Sequence, residues 1–397
     1  MNMSKPFVFE KPIGMRDTLP PLYETRRNLR ERMMNEIRLW GYELIQTPTL
    51  EYYDTVGEKS AILDRQLFKL LDMDGQTLVL RPDMTAPIAR VISSTMKQIP
   101  YPIRLAYHSS VFRAQQREGG RPAEFEQVGV ELIGDGTTSA DAEVIALMIS
   151  ALKEAGLTDF KIAIGHIGVI DELFKASLRQ EDERKELRRY LYEKNYVGYL
   201  QLIRKLSLRA DDSNRLKELL HLRGNREVLQ KAEQIVSTEK GQKALKELGH
   251  LLDVLDVHGV KDYITFDFTL ISHMHYYTGI VFEGYTSGFG FPIASGGRYD
   301  QLLKEFGRSG DAIGFGVHLD DLTEALNVIQ DDQVEVCIIY SKEKRNQAIK
   351  MAEEKRKEGK KTVLQEFSSI GNVERFASRF QHVIYVVGEK GGGDTHG

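Results

Sequence analysis

Residues 112–131, FRAQQREGGRPAEFEQVGVE, decide how the rest of the chain is read. Arg113 closes a mostly apolar run, 103–112, broken by Arg104, His108 and two serines. A loop rich in charge and glycine follows: Arg117, Glu118, Gly119, Gly120 and Arg121. Phe125, Val128 and Val130 are then apolar, with Gln127, Gly129 and Glu131 among them. The pattern predicts strand, loop, strand, the returning strand half-buried. Gln127 and Glu131 are four residues apart, so on a strand both side chains point the same way. Pairing of the strands brings Arg113 near that face. A guanidinium and a carboxylate over a sheet can clamp an amino acid by its two charged ends. An ordinary surface ion pair on a hairpin fits the same residues.

Composition sets the frame. The chain has 397 residues, a length that suggests two or three domains. Its 41% hydrophobic and 28% charged residues are ordinary for a soluble globular protein. A net charge of −4 gives no general attraction to nucleic acid and argues against tRNA as a partner. Cys337 is the one cysteine, which excludes an intrachain disulfide and a cysteine-based zinc site. No apolar run approaches the ~20 residues that cross a bilayer. The opening, MNMSKPFVFEKP, lacks the apolar core of a signal peptide, so the expected location is the cytoplasm.

Working outward, a helix is predicted over 22–40, with Leu22, Leu29, Met33 and Ile37 on one stripe and Gly41 as its stop. A strand over 42–49 contains Pro48. Short runs at 68–71 and 77–80 flank a hairpin turn at Asp74-Gly75. Thr138-x-x-Asp141 can cap a helix that Gly156 ends, and 161–166 is a strand. From 171 to 260 charge is dense and leucines recur at helical spacing, which predicts a helical insertion. Strands return over 263–295, with a turn at Ser287-Gly288. After a linker at 330–333 the chain alternates strand and helix to 387, a small α/β unit. The glycine-rich last ten residues are expected to be disordered.

The opening stretch resembles motif 2 of the class II aminoacyl-tRNA synthetases, in detail that of histidyl-tRNA synthetase. The helix, strand and Pro48 resemble motif 1 of that class, which implies self-association as a dimer. Three more stretches match the histidyl pattern in order: LRPDMT at 80–85, SHMHYYTGIVFE at 272–283 and ASGGRYD at 294–300. The implied fold is α+β: a class II synthetase-like antiparallel sheet flanked by helices, in two parts (1–170 and 261–328). The helical insertion (171–260) separates those parts, and a small α/β unit over 333–390 resembles a reduced anticodon-binding domain. The resemblance places Asp83 and Thr85 at the α-amino group of L-histidine and Arg113 at its carboxylate. It places Gln127 and Glu131 around the amino group and imidazole, and Tyr276 and Tyr277 in the histidine-specific loop. The chemistry is consistent: acid plus hydroxyl suits an ammonium, and a forked arginine suits a carboxylate.

The departures from the pattern carry equal weight. Adenylation concentrates charge on phosphates and needs fixed cations. Ser272 stands where the histidyl enzymes have an arginine, and His275 where they have an aspartate. Asp321 stands at a second arginine position, His318 replaces a glycine, and Gln115 replaces an acid. Each lost electrostatic contact costs ~100- to 1000-fold in rate. A kept histidine clamp with lost adenylation chemistry resembles the regulatory subunits of ATP phosphoribosyltransferase. That resemblance implies a non-catalytic chain without cofactor, feedback inhibition by L-histidine, and a short-form catalytic subunit as partner in the first step of histidine biosynthesis. The alternative is a working histidyl-tRNA synthetase that makes histidyl-adenylate and charges tRNA.

Smaller signals are weaker. His273 and His275 would share one side of a strand, but a metal needs further ligands. Phe282, Phe289 and Phe291 are expected in the core rather than as stacking surfaces. The charged run 179–189 reads as a solvated helix face. Gly119-Gly120 and Gly296-Gly297 open no evident helix and make poor phosphate loops.

Overall fold

A computed structural model describes residues 9–60, 62–114, 122–271, 276–328 and 334–388. The loop at 117–121, Gln115, Ser272, His273, His275, the linker at 330–333 and the glycine-rich tail beyond 388 lie outside the described residues. The chain divides into two compact units, one of Met1–Leu19 with Thr25–Val328, the other of Pro20–Glu24 with Ile329–Gly397.

Helix α1 (Pro20–Leu39) starts on two prolines, whose missing N–H groups cost nothing in a first turn, and Gly41 follows its end at φ 81°. Leu29, Met33 and Ile37 are buried as the stripe predicts. The strand expected over 42–49 shrinks to β1 (Glu43–Leu44), because Pro48 has no N–H for a ladder. The chain resumes as β2 (Leu50–Tyr52), which joins β3 (Lys69–Leu71) and β4 (Thr77–Leu80) in a small antiparallel sheet, order β2-β4-β3. Gly75, at φ 81°, makes the expected turn.

Next come α2 (Thr85–Ser93), β5 (Ile103–Phe112), β6 (Glu124–Ile133), α3 (Thr138–Glu154) and β7 (Phe160–His166). The cap of α3 is Thr137, one residue before the expected Thr138: its hydroxyl accepts from Ala140 N at 3.3 Å. Helices α4 (Ile167–Ser177), α5 (Glu181–Tyr192), α6 (Tyr196–Lys205), α7 (Ala210–Glu218), α8 (Glu227–Ile235) and α9 (Glu239–Val257) fill the leucine-rich region. It is not purely helical, since β8 (Arg223–Gly224) pairs with β9 (Ile264–Asp267). Then follow β10 (Ile280–Thr286), β11 (Ala294–Arg298), α10 (Leu302–Glu305), β12 (Ala312–His318) and α11 (Leu319–Leu326).

The main sheet has nine strands in the order β1-β5-β6-β12-β11-β10-β7-β9-β8. Its centre is antiparallel, with parallel pairs at β1–β5 and β7–β9. Val130, Leu147, Leu248 and Phe282 belong to the core on one face. Met84, Ile88, Tyr107, Phe125 and Tyr299 form a second core on the other. Strand β6 is therefore not half-buried as expected. It lies between β5 and β12, and Glu131 and Gln127 retain only 2% and 7% exposure. Phe282 is in the core, but Phe291 is 48% exposed. It sits between Gly290 and Pro292, past the turn that ends β10, where no strand holds it against the interior.

The smaller unit holds β13 (Val336–Tyr340), α12 (Arg345–Lys357), β14 (Thr362–Glu366), α13 (Val373–Ala377) and β15 (His382–Val386). Its three parallel strands run in the order β14-β13-β15 around Val336, Ile338, Ala348 and Ala352. In the larger unit, Leu147 is fully buried in α3. Leu147→Ala should cost ~2–5 kcal/mol by cavity creation, read as an earlier urea unfolding transition of that unit.

Candidate functional site

One cavity is lined by all of Asp83, Thr85, Arg113, Gln127, Glu131, Tyr276 and Tyr277. Tyr107, Ser295 and Tyr299 and the strand segment 314–316 complete the wall.

The floor is the sheet itself. Gly314 of β12 pairs across with Glu131, and Gly316 with Gly129. A Cβ at Gly314 would stand 1.8 Å from Glu131 Oε2, and one at Gly316 would stand 2.0 Å from Gln127 Nε2. A Cβ at Gly129 would meet the Tyr107 hydroxyl at 2.4 Å, and one at Gly297 would meet the Tyr277 ring at 2.9 Å. Glycine is required at these positions by close approach. This also explains Gly297 of the 294–300 motif: it seats a ring rather than a phosphate.

Three elements bring the charges in. Asp83 follows β4 and accepts from Ala86 N at 3.0 Å, at the start of α2. Its other oxygen, Oδ2, is buried and has no hydrogen-bond partner among the described residues. Arg113, just past β5, donates from Nε to Pro82 O at 2.9 Å, and its guanidinium lies 5.4 Å from the Phe125 ring centroid. That anchors one edge of the fork; no ion pair engages Arg113 among the described residues. Glu131 accepts from the Thr85 hydroxyl at 2.8 Å on Oε1 and from the Tyr299 hydroxyl at 2.5 Å on Oε2. Tyr276 stands edge-on to Tyr277 and Tyr299, with centroids 5.2 and 5.8 Å apart.

Burial governs the protonation of these groups. It pushes the Glu131 carboxyl up to about 8, against the two hydroxyl bonds, which favour the ion. It raises Asp83 too, opposed by the Ala86 N–H and by the positive charge of Arg113. Burial also raises the phenols of Tyr107, Tyr276, Tyr277 and Tyr299, which stay neutral donors and acceptors. The cavity thus offers a carboxylate with an open oxygen, a guanidinium with an open edge, and a carboxyl between hydroxyls. It can hold an ammonium, a carboxylate and a ring nitrogen together.

Tyr107 and Tyr299 are not singled out by sequence reasoning. Tyr299 lies inside the quoted motif ASGGRYD, next to the glycines that draw notice there. Tyr107 sits opposite Gly129 on β5, a pairing that spacing along the chain cannot give. Asp321 does not line the cavity. Its carboxylate meets His318 Nδ1 at 3.1 Å, and that imidazole packs edge-on against Phe125 at 5.1 Å. Neighbouring Asp320 pairs with Arg26 at 2.6 Å and accepts from Glu126 N.

With this geometry in hand, comparison with known proteins defines the class. A family model described as histidyl-tRNA synthetase matches residues 14–322, and one described as histidyl-tRNA synthetase HisZ, C-terminal domain, matches residues 337–388. A solved histidyl-tRNA synthetase from Nostoc shares the fold at TM-score 0.78 and 20% identity, over 94% of this chain and 89% of that one. At higher identity the relatives are more specific. An ATP phosphoribosyltransferase regulatory subunit of Halalkalibacterium halodurans is 56% identical over 98% of this chain and 99% of its own. That of Bacillus subtilis is 54% identical over 97% and 98%. A crystal structure from Bacillus halodurans, described as an ATP phosphoribosyltransferase regulatory subunit/histidyl-tRNA synthetase, superposes at TM-score 0.92 with 55% identity, covering 97% of this chain and all of that one. The chain belongs to the ATP phosphoribosyltransferase regulatory subunit family, built on the histidyl-tRNA synthetase fold.

The Glu131 carboxyl carries a stability signature. Its folded value of about 8 exceeds the ordinary 4.5, so the folded state holds the proton more tightly. Its contribution is full below pH 4.5 and is lost as pH rises toward about 8. Glu131→Gln should therefore gain stability relative to the parent across that window, measured as urea midpoints at successive pH values.

Proposed function

We propose that this chain is the non-catalytic, histidine-sensing subunit of a two-component ATP phosphoribosyltransferase, acting in the first step of histidine biosynthesis. The observation that carries the reading is one cavity in which Asp83, Arg113 and Glu131 converge, in a chain whose relatives carry the regulatory-subunit name. Asp83, Thr85 and Gln127 take the α-amino group of L-histidine. Arg113 takes the carboxylate by its open edge. Glu131, Tyr276 and Tyr277 enclose the imidazole.

Loss of adenylation follows from charge. Ser272 and Asp321 stand in place of two arginines. The acids at the end of β12 are engaged internally, Asp321 by His318 and Asp320 by Arg26. Acids at those positions supply none of the positive charge that a phosphate tail needs. Histidine lowers activity by binding the inhibited assembly more tightly than the active one. The same reading takes a short-form catalytic subunit as partner and a second copy of this chain across the synthetase-like core. The net charge of −4 supports a role without tRNA.

Calorimetry on the full chain should show L-histidine binding, weakened at least ~30-fold by Arg113→Ala or Glu131→Ala. Co-expression with a short-form catalytic subunit should yield an activity that L-histidine lowers. Histidine-dependent pyrophosphate–ATP exchange by the purified chain would instead establish a synthetase.

A further inference from the structure

Glu131 is gripped from two sides. Thr85, the first residue of α2, donates to Oε1 at 2.8 Å, and Tyr299, one residue past β11, donates to Oε2 at 2.5 Å. The two donors come from opposite ends of the 80–300 segment and meet only in the folded unit. Tyr299 is 2% exposed, its ring is set edge-on to Tyr276, and its backbone N–H is bonded to Ala312 O at 2.8 Å. Its hydroxyl oxygen is therefore held in one place, 2.5 Å from Glu131 Oε2. The carboxyl is thus engaged once on each oxygen. The remaining sites are aimed in a fixed direction.

We propose that Tyr299 is the positioning residue of this pocket: with Thr85 it locks the Glu131 carboxyl in the orientation that meets the ring of a bound amino acid. The inference rests on the histidine-binding reading of the cavity, and it adds a residue to it. Charged and titratable groups face Glu131 from each neighbouring element: Asp83 before α2, Arg113 after β5, Tyr107 on β5, and Tyr276 and Tyr277 before β10. Of the hydrogen bonds to the carboxyl, that from Tyr299 is the one that most favours the ion, ahead of Thr85. Without it the carboxyl keeps its proton to higher pH and is free to rotate about its last bond.

The test is Tyr299→Phe in the full chain, which removes one oxygen and keeps the ring. The first readout needs no ligand: the Glu131 carboxyl, followed by carbon-13 NMR and assigned with Glu131→Gln, should titrate near 8 in the parent and higher in the variant. The second is calorimetry with L-histidine across pH. Affinity should fall roughly 10- to 100-fold, and the parent-to-variant affinity ratio should change with pH between the two Glu131 titrations. The ligand's own titration cancels in that ratio. Unchanged Glu131 titration overturns the proposal, as does weakened binding with a ratio constant across pH, which a packing role alone would give. If the parent fails to bind L-histidine, the histidine reading falls, and the ligand-free titration still judges Tyr299. Thr85→Val, which removes the weaker donor, should move the titration in the same direction by less.

Discussion

At Gly314 an added methyl group would overlap the carboxylate of Glu131 on the next strand, and at Gly316 it would overlap the amide of Gln127. This steric constraint underlies the whole site. A β-sheet with a side chain at every position has no room for polar groups to lie across it. Here Gly129, Gly297, Gly314 and Gly316 remove side chains from one face of three central strands, β6, β11 and β12. Gln127, Glu131, Tyr107 and Tyr277 extend into the space so made. The same strands present Val128, Val130, Phe315 and Val317 to the opposite face, so the pocket is cut without thinning the main core.

Burying two carboxyl groups and a guanidinium together is expensive unless each is bonded. The fold answers by partial satisfaction. Asp83 gives one oxygen to the start of α2, Arg113 gives Nε to Pro82, and Glu131 receives two hydroxyls. What is left open is Asp83 Oδ2, the outer edge of Arg113 and the second lone pairs of Glu131. Leaving such groups unpaired is unfavourable, so a ligand that lacks a matching group is rejected by the cost of stranding them.

The region beyond β12 shows the opposite economy. Asp320 pairs with Arg26 and Asp321 with His318, and Glu126 on neighbouring β6 pairs with both Arg30 and His108. The His318 imidazole lies against the Phe125 ring, whose aromatic surface also meets Arg113. Charges that satisfy one another stabilise the fold but present little to an anionic ligand. The cavity thus keeps polar groups open, and the acids beside it are closed on their own partners.

Much of this was legible along the chain. Period-two alternation marked β6, the Asp-Gly turn marked the β3–β4 hairpin, and the ordered motifs pointed to the synthetase class of fold. They also named residues that the folded unit gathers around one cavity. Spacing could not show that β6 is covered on both faces, because burial of Glu131 depends on β12, which arrives 180 residues later. Nor could it show Thr137 rather than Thr138 as the cap, which turns on one hydrogen bond, or Phe291 at the surface, which turns on where β10 ends. By itself the sequence determined which residue types were available and on which face of each strand they fall, because alternation is a property of the backbone. Only the tertiary structure decided that Thr85 and Tyr299 close on the two oxygens of Glu131, and that its proton is held to higher pH. Both depend on desolvation and on contacts between segments far apart in the chain.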